Sequence, residues 1–217
     1  MAPRPDVSEQ RRTEIVDAAA RVFSRKGFGA RMEDIVRESG LSKGLLYWYF
    51  KSKDAIIVAI MDRLIGPELR GAEVLPAGPG SARQRILGLA EQTIREIRAM
   101  ERFIPITYEF YTLAFRNRVV RRAIKGFFGR FIDGIQGVIQ QGIDRGEFRA
   151  VDARAAAVCL IASFEGTLLL WIFDPDSVQM EAQVRQAATL FLDGIVDPAG
   201  GSPGGHRRGT RKKGASS

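Results

Sequence analysis

Residues 42–50 carry the side chains in this sequence that are best suited to bind a nucleic acid. Hydroxyl, ammonium, aliphatic and aromatic groups follow one another there with helical spacing; they are Ser42, Lys43, Leu45, Tyr47, Trp48 and Tyr49. Hydroxyl and ammonium groups hold phosphates, and residues near the N-terminus of a recognition helix read base edges. Three successive aromatic residues cannot share one helical face, so at least one of them must point outward. The segment therefore predicts contact with double-stranded DNA.

The elements around this segment have the spacing of a helix-turn-helix. A first helix with apolar residues at 15, 18, 19, 22 and 23 stops at Gly27, and a short second helix covers about 32–38. Residues 39–42 then supply a tight turn at Gly40 and an N-cap at Ser42 for a third helix through Phe50. In that helix Leu46 and Phe50 lie four residues apart and face inward. Two short helices packed on a preceding helix form a DNA-binding motif.

The same residues resemble the tetracycline-repressor (TetR) family of regulators. The resemblance covers about residues 11–55 and is carried by Ile15-Val-Asp-Ala-Ala-Ala-Arg-Val-Phe23, Lys26-Gly-Phe28, Asp34-Ile35 and Gly40-Leu-Ser-Lys-Gly-Leu-Leu-Tyr-Trp-Tyr-Phe-Lys-Ser-Lys53. It implies a homodimer whose two recognition helices occupy successive major grooves of a near-palindromic operator. It also implies a second domain that binds a small-molecule effector and changes the separation of those helices. We therefore expect a repressor that its ligand releases from DNA.

The resemblance also implies roles for single residues. It places Lys43, Tyr47, Tyr49 and Lys53 at positions that the family uses mainly on phosphates, Leu45 at a position that faces bases, and Gly44 at a small residue that permits close approach to the duplex.

Two positions depart from the family pattern. Residues 29–32 have no Thr ahead of the second helix, and Arg31 is the candidate that replaces its phosphate contact. Tyr49 stands where the family often has His, which keeps a hydrogen-bonding tip and removes titration near neutral pH. Trp48 either lies at a DNA-facing edge or packs on the first helix, and the sequence leaves both open.

The periodicity along the rest of the chain is helical, with no convincing strand, and predicts an all-α fold of about nine helices. We divide the chain into a three-helix DNA-binding domain at 1–55, a larger helical ligand-binding and dimerisation domain at 56–197, and a disordered basic tail at 198–217. The net charge of +8 is divided between +3 in the first range and +5 in the tail. A basic tail suits a polyanion partner, and it leaves open a DNA-packaging protein without ligand control.

Several classes of protein are disfavoured by the residues that the chain lacks. Cys159 is the only cysteine, so neither an internal disulfide nor a cysteine metal site is available, and the only histidine, His206, lies in the tail. We find no glycine-rich phosphate loop, no nucleophile elbow and no metal-ligand spacing, so we expect neither an enzyme nor a cofactor. No uninterrupted apolar run of about 18 residues is present. These features predict a cytoplasmic protein without a membrane partner.

Aromatic residues of the second domain are candidates for an apolar ligand pocket; they are Phe103, Tyr108, Tyr111, Phe115, Phe164 and Trp171. Each of them has core packing as its alternative. Glu109 and Glu165 stand in apolar surroundings in the sequence and suit a cationic ligand, with surface exposure as the alternative.

The last two helices, at about 152–173 and 177–196, are the candidate dimer interface, because family members join this pair in a four-helix bundle. The residues that we assign to it are Phe164, Gly166, Leu169 and Leu190, and an internal buried helix is the alternative. Glycines at 126, 129, 134, 137 and 142 interrupt the long helix before this pair, at a cost of about 1 kcal/mol each against Ala. Three explanations for these glycines remain open: close approach of a neighbouring helix, space for a ligand, or a pivot for switching.

Overall fold

The computed structural model of the protein describes residues 7–196, and within this range it contains nine α-helices and no β-sheet. The helices are α1 Val7–Lys26, α2 Met32–Ser39, α3 Lys43–Tyr49, α4 Lys53–Val74, α5 Ala82–Ala99, α6 Ile104–Ala114, α7 Arg118–Asp144, α8 Ala153–Phe173 and α9 Met180–Ile195. Single 3-10 turns precede α5 and α6, at Leu75–Ala77 and Glu101–Phe103. The all-α fold with about nine helices is confirmed. The tail at 198–217 lies outside the described residues.

Several helices begin at side chains that cap their first free N–H groups. Ser42 caps α3, where its Oγ accepts the N–H of Leu45 at 3.2 Å. Ser81 and Gln84 form a reciprocal pair at the start of α5, and the Asp152 carboxylate accepts two N–H groups at the start of α8. Each bond satisfies a donor that has no partner inside the helix, and this fixes where the helix begins.

Gly27 and Gly40 end α1 and α2 in the left-handed conformation, with φ of +66° and +68°. The N–H of Gly27 bonds to the carbonyl of Phe23 at 2.8 Å, and the N–H of Gly40 bonds to that of Val36 at 3.1 Å. A side chain with a Cβ is strained in this conformation, whereas glycine is not. The two turns therefore set the directions in which α2 and α3 leave.

Two hydrophobic clusters form the interior of the described chain. The N-terminal cluster joins α1 to α4 and also contains Ile106 and Phe110 of α6 and Val120 of α7. The C-terminal cluster is built from α5 to α9. The helix α6 thus contributes Ile106 and Phe110 to the N-terminal cluster and Ile104 to the C-terminal cluster, so it packs against both.

Close packing explains some of the glycines of α7. A Cβ on Gly142 would lie 2.3 Å from Cδ2 of Phe148 and 2.9 Å from Cβ of Ala82, and one on Gly137 would lie 3.1 Å from Cγ of Pro76. A Cβ on Gly129 would meet only open space. Close helix approach therefore accounts for Gly137 and Gly142 and does not account for Gly129.

The helix α8 is the one helix in the described range that is long and apolar enough, by length and composition alone, to cross a membrane. Its inward residues, among them Leu160, Ile161 and Trp171, are buried in the C-terminal cluster. Because a core helix can be as long and as apolar as a membrane-spanning one, packing in the C-terminal cluster explains the apolar character of this half of α8. The opposite half is exposed.

Candidate DNA-binding surface and ligand cavity

The third helix presents the residues that the sequence assigns to DNA contact. Leu46 and Phe50 are 0% and 2% exposed, which confirms that they anchor α3 in the N-terminal cluster. The exposed positions on the opposite side are Ser42, Lys43, Gly44, Tyr47 and Trp48, and Leu45 is half-buried. The short core thus holds α3 by one face and leaves its N-terminal residues available to a duplex.

The aromatic residues at the end of α3 differ in their environments. Trp48 is 63% exposed, and its ring meets that of Tyr49 edge-on, with 4.6 Å between centroids. Tyr49 is half-buried and packs against the N-terminal cluster. Of the two alternatives for Trp48, its exposure favours the DNA-facing edge.

The ammonium of Lys43 is paired in the free protein. It lies 2.8 Å from Oε1 of Glu33 on α2, and 6.0 Å from the centroid of the Tyr47 ring. The hydrogen bond that Lys43 donates to Glu33 raises the pKa of Lys43 and lowers the pKa of the Glu33 carboxyl. Since both side chains are more than half exposed, this pair is weak enough for a phosphate to replace the carboxylate.

Lys53 has a partner that the sequence does not reveal. Its Nζ donates hydrogen bonds to the carbonyl oxygens of Phe28 at 2.7 Å and Ala30 at 3.3 Å. The first residue of α4 therefore fastens the loop between α1 and α2. This role competes with the phosphate contact that the family resemblance implies for Lys53.

Arg31 occupies the N-cap position of α2 in an extended conformation. Its backbone N–H donates to Oδ2 of Asp34 at 3.0 Å, so an aspartate three residues into the helix supplies the bond at this end. The side chain of Arg31 is exposed. It remains a candidate for phosphate contact.

Ion pairs clamp α2 to α1. The Glu38 carboxylate accepts hydrogen bonds from Arg21 at 2.9 Å and from Arg25, and Lys26 lies 2.7 Å from Oδ1 of Asp34. The bond from Arg21, with a second from Arg25, lowers the pKa of Glu38. These pairs fix the helix on which α3 rests.

A narrow cleft lies between α5, α6, α7 and α8, and the space between its side chains, counted together with its opening to solvent, is about 620 Å³. Aromatic and aliphatic side chains form most of its wall; they include Tyr111, Phe127, Phe131, Phe164, Ile97, Met100, Ile104, Ile161 and Leu168. Its polar groups, among the described residues, are the hydroxyls of Thr93, Thr107 and Tyr111 and the carboxylate of Glu165. An apolar cleft with few polar groups is the usual form of a small-molecule site.

Two of the six aromatic candidates, Tyr111 and Phe164, line this cavity. Phe103 lies instead in an open groove between α1 and α4. Tyr108 packs on the C-terminal cluster, and Trp171 is buried there with the Arg98 guanidinium 5.4 Å from its ring centroid.

The assignment of Phe115 to the pocket is wrong, because its side chain is 80% exposed. Phe115 follows Ala114, the last residue of α6, and lies beyond the part of the helix that lines the cavity. Phe127 and Phe131 of α7 fill the wall instead. Sequence periodicity gives both of them the same apolar spacing as core residues and does not distinguish them.

Among the described residues of the cavity wall, Glu165 carries the one acidic group. Its Oε2 accepts a hydrogen bond from the hydroxyl of Tyr111 at 3.1 Å. Burial raises the pKa of Glu165 and exceeds the opposing effect of that bond. Burial, together with the charge of Glu165, raises the pKa of Tyr108 to about 12. Of the two glutamates considered from sequence, Glu165 thus faces the cavity.

Glu109 lies elsewhere, at the junction of the two domains. Its Oε2 accepts the backbone N–H of Phe28 at 3.0 Å, and a Cβ on Gly27 would lie 3.3 Å from its Oε1. The Phe28 ring meets the Phe23 ring edge-on and the Phe110 ring at a tilt, with centroid distances of 5.1 and 5.2 Å. The Glu109 carboxylate and the Phe110 ring of α6 therefore both contact the loop between α1 and α2.

The outer faces of α8 and α9 carry exposed apolar side chains. Leu169 and Leu190 are 40% and 62% exposed, and a Cβ on Gly166 would meet open space. These three residues lie where a partner subunit can reach them. The assignment of Phe164 to the dimer interface is wrong, because this side chain is 6% exposed and points into the cavity.

No group of three or more His, Cys, Asp or Glu side chains is placed to hold a metal ion anywhere in residues 7–196.

Proteins of known sequence and structure resemble the chain over most of its length. It is 31% identical over 192 residues to the HTH-type transcriptional regulator YfiR of Bacillus subtilis (strain 168), which covers 87% of this chain and 93% of YfiR. The structure of SmeT, the repressor of the Stenotrophomonas maltophilia multidrug efflux pump SmeDEF, matches with a TM-score of 0.75 at 21% identity, over 89% of this chain and 94% of SmeT. The complex of SmeT with triclosan matches with a TM-score of 0.79 at 21% identity, over 94% and 100% of the two chains. At this identity SmeT shows the fold alone.

Two family models match consecutive parts of the chain. The model of the bacterial regulatory proteins of the tetR family matches residues 15–60, which contain the helix-turn-helix. The model of the C-terminal domain of BetI-type transcriptional repressors matches residues 82–197, which contain the cavity and the exposed face of α8 and α9. The chain therefore belongs to the tetR family of bacterial regulatory proteins and is a DNA-binding transcriptional repressor with a BetI-type C-terminal domain.

Proposed function

We propose that this repressor acts in the cytoplasm as a homodimer on a near-palindromic operator, and that a small molecule in the cavity between α5 and α8 releases it. In this proposal α3 of each subunit enters the major groove, with Lys43 on phosphates and Leu45 on a base edge. The residues Arg31, Ser42, Gly44, Tyr47, Trp48 and Tyr49 complete the contact surface.

The position of α6 is the observation that carries the proposal. Thr107 and Tyr111 of this helix line the cavity, while Phe110 is buried in the N-terminal cluster and Glu109 binds the backbone of Phe28. A ligand that displaces the cavity side of α6 must therefore also displace contacts to the DNA-binding domain. Such a shared element is the physical requirement for coupling between two sites.

The exposed face of α8 and α9 supports the homodimer. On α8 the exposed apolar residues recur at helical spacing, at Val158, Leu169, Leu170 and Phe173, and Leu190 of α9 adds to them. Apolar patches of this kind on a monomer mark interaction sites. Two subunits are also needed for selectivity, because one recognition helix reads only a few base pairs at about 1–3 kcal/mol each.

Solved structures of similar fold contain chemically different small molecules. SmeT is bound to triclosan, a regulator from Saccharomonospora viridis to choline, and FadR of Bacillus subtilis to stearoyl-CoA. These complexes support a small-molecule effector for this chain and do not identify it. The chemical class of the effector must be inferred from the side chains that line the cavity.

The test starts with a footprint of the protein on the DNA upstream of its own gene, followed by a screen for small molecules that release the footprint. Thr107→Phe fills the cavity from α6, and Thr112→Phe, at an exposed position of the same helix, is the matched control. We expect Thr107→Phe to bind the operator and to resist release, while Thr112→Phe is released like the wild type. Equal release of the two variants would show that the effector acts elsewhere.

A further inference from the structure

The cavity has an unusual balance of charge for an apolar site. Among the side chains that line it, all within the described residues, Glu165 is acidic and none is Lys, Arg or His. An anionic ligand would find no opposite charge there and would meet the carboxylate. The composition of the wall therefore disfavours carboxylates and phosphates as the buried part of an effector.

Within the described residues, the Glu165 carboxylate has fewer hydrogen-bond donors than it can accept from. An ionised carboxylate offers about four acceptor positions, and the hydrogen bond that the structure gives it is the one from Tyr111. A second polar group of the wall, the hydroxyl of Thr93, is buried without a hydrogen-bond partner in the described range. Burial of a charge without a partner is costly, and a ligand that supplies the opposite charge removes that cost.

The aromatic walls suit the same ligand. Phe127 and Phe131 stack on each other with 5.9 Å between centroids, and Tyr111 stacks on Phe128 with 6.1 Å. The negative faces of such rings attract a cation, most strongly in a site that excludes water. The Glu165 carboxylate and the aromatic rings thus both favour a positively charged group. The aliphatic side chains in the rest of the wall favour a ligand with an apolar body.

We propose that the effector is an organic cation of single charge with an apolar body, whose charged nitrogen is bound by Glu165 while the aromatic walls enclose the rest. This inference rests on the proposed function, because it names the chemical class of effector for the cavity assigned there.

The experiment compares two molecules of the same shape and different charge, 3-(trimethylammonio)phenol and 3-tert-butylphenol. Their affinities are measured by calorimetry at pH 7 for the wild type, for Glu165→Gln and for the control Glu101→Gln, which removes a carboxylate outside the cavity. We expect the wild type and Glu101→Gln to bind the cation about 10-fold or more tightly than its uncharged isostere. We expect Glu165→Gln to lose this preference and to keep the affinity for the uncharged molecule, which also shows that the variant is folded.

Three outcomes would overturn the inference: equal affinities for the two molecules in the wild type, a preference that survives in Glu165→Gln, or no binding of the cation at millimolar concentration. Release of the operator is measured separately, by the fluorescence anisotropy of labelled DNA. A cation that binds through Glu165 and leaves the operator bound would uphold the cation site and refute the proposed effector role of the cavity. Release by an uncharged molecule that Thr107→Phe blocks would uphold that role and refute the cation.

Discussion

The carboxylate of Glu109 on α6 accepts a hydrogen bond from the backbone N–H of Phe28, a residue 81 positions earlier in the chain, at 3.0 Å. This bond joins the helix that lines the cavity to the loop that precedes the DNA-binding helices. We predict that Glu109→Ala lowers the free energy of unfolding by about 1–3 kcal/mol, because it leaves a partly buried N–H without an acceptor. Urea denaturation measures the change. Glu101→Ala, a substitution at an exposed glutamate, serves as the control, and equal stabilities of the two variants would contradict the assignment.

Lys43 is expected to bind phosphate and not bases. Lys43→Ala should therefore weaken binding to the operator and to a scrambled duplex by the same factor, whereas Leu45→Ala should change the preference at one base position. Titrations of both duplexes with both variants separate the two effects. Operator binding by Lys43→Ala that equals the wild type would mean that α3 does not lie on the DNA as we propose.

The ion pair between Lys43 and Glu33 predicts that a substitution of Glu33 strengthens DNA binding, whereas one of Lys43 weakens it. Glu33→Gln frees the ammonium of Lys43 and removes a negative charge near the phosphates, so we expect DNA binding to strengthen about 2-fold to 5-fold at low salt. The gain should shrink as salt is added, because both effects are electrostatic. Weaker binding of Glu33→Gln at every salt concentration would argue that Glu33 itself contacts a base.

The buried carboxyl of Glu165 predicts how stability depends on pH. Its pKa in the folded protein is raised by burial, so the folded state holds this proton more tightly than the unfolded state does. Its contribution to stability is then complete below the unfolded pKa of about 4.3 and is lost as the pH rises through the folded pKa. The Tyr111 hydroxyl donates a hydrogen bond to Glu165. The pKa of Tyr108 is raised to about 12, so this residue keeps its charge in the range tested. We expect the stability of Glu165→Gln relative to the wild type to increase from pH 4.5 to 8, and thermal melts of both proteins at matched pH check this.

The affinity for a cationic ligand should depend on pH in the opposite direction to the stability contribution of Glu165. Because such a ligand stabilises the ionised carboxylate, its affinity should rise with pH through the raised pKa of Glu165. Calorimetry across the same pH range tests the expectation on the wild type, and Glu165→Gln should show no such rise.

The exposed side chain of Leu169 allows a direct test of the dimer. Leu169→Asp puts a carboxylate on the outer face of α8, where it remains hydrated in a monomer and would be buried in a dimer. We expect a monomer by sedimentation that keeps its helical content and no longer protects an inverted repeat with half-sites about one helical turn apart. Val119→Asp, also at an exposed apolar position, is the control and should stay dimeric. A wild-type monomer at micromolar concentration that still protects the repeat would exclude this mechanism.

The sequence predicts the helices well because local chemistry marks their ends. The residues predicted to end or begin helices do so in the structure; they are Gly27, Gly40, Ser42, Ser81 and Asp152. Such caps and left-handed turns depend only on neighbouring residues, so they can be recognised from sequence. The absence of catalytic function was also expected from sequence and follows from membership of a family of regulators.

The cavity could be predicted only in part, because core and pocket side chains share one spacing. Phe131 lines the cavity, whereas Phe110, with the same apolar character, is buried in the other cluster. Phe115 was misplaced because it follows the last residue of α6, where its side chain is exposed, and apolar spacing does not show where packing against other helices stops. The partners of Lys53 and Glu109 come from distant segments, and no local pattern encodes such contacts.

Phe28 is held from two sides, since Glu109 of α6 binds its N–H and Lys53 at the start of α4 binds its carbonyl oxygen. The amide proton of this one residue therefore reports the docking of the two domains. In an amide hydrogen-exchange experiment its protection should fall whenever α6 withdraws, while the amides inside α1 stay protected by their own helix. A single resonance thus offers a native sensor of the switch, readable without operator DNA and before the effector is known.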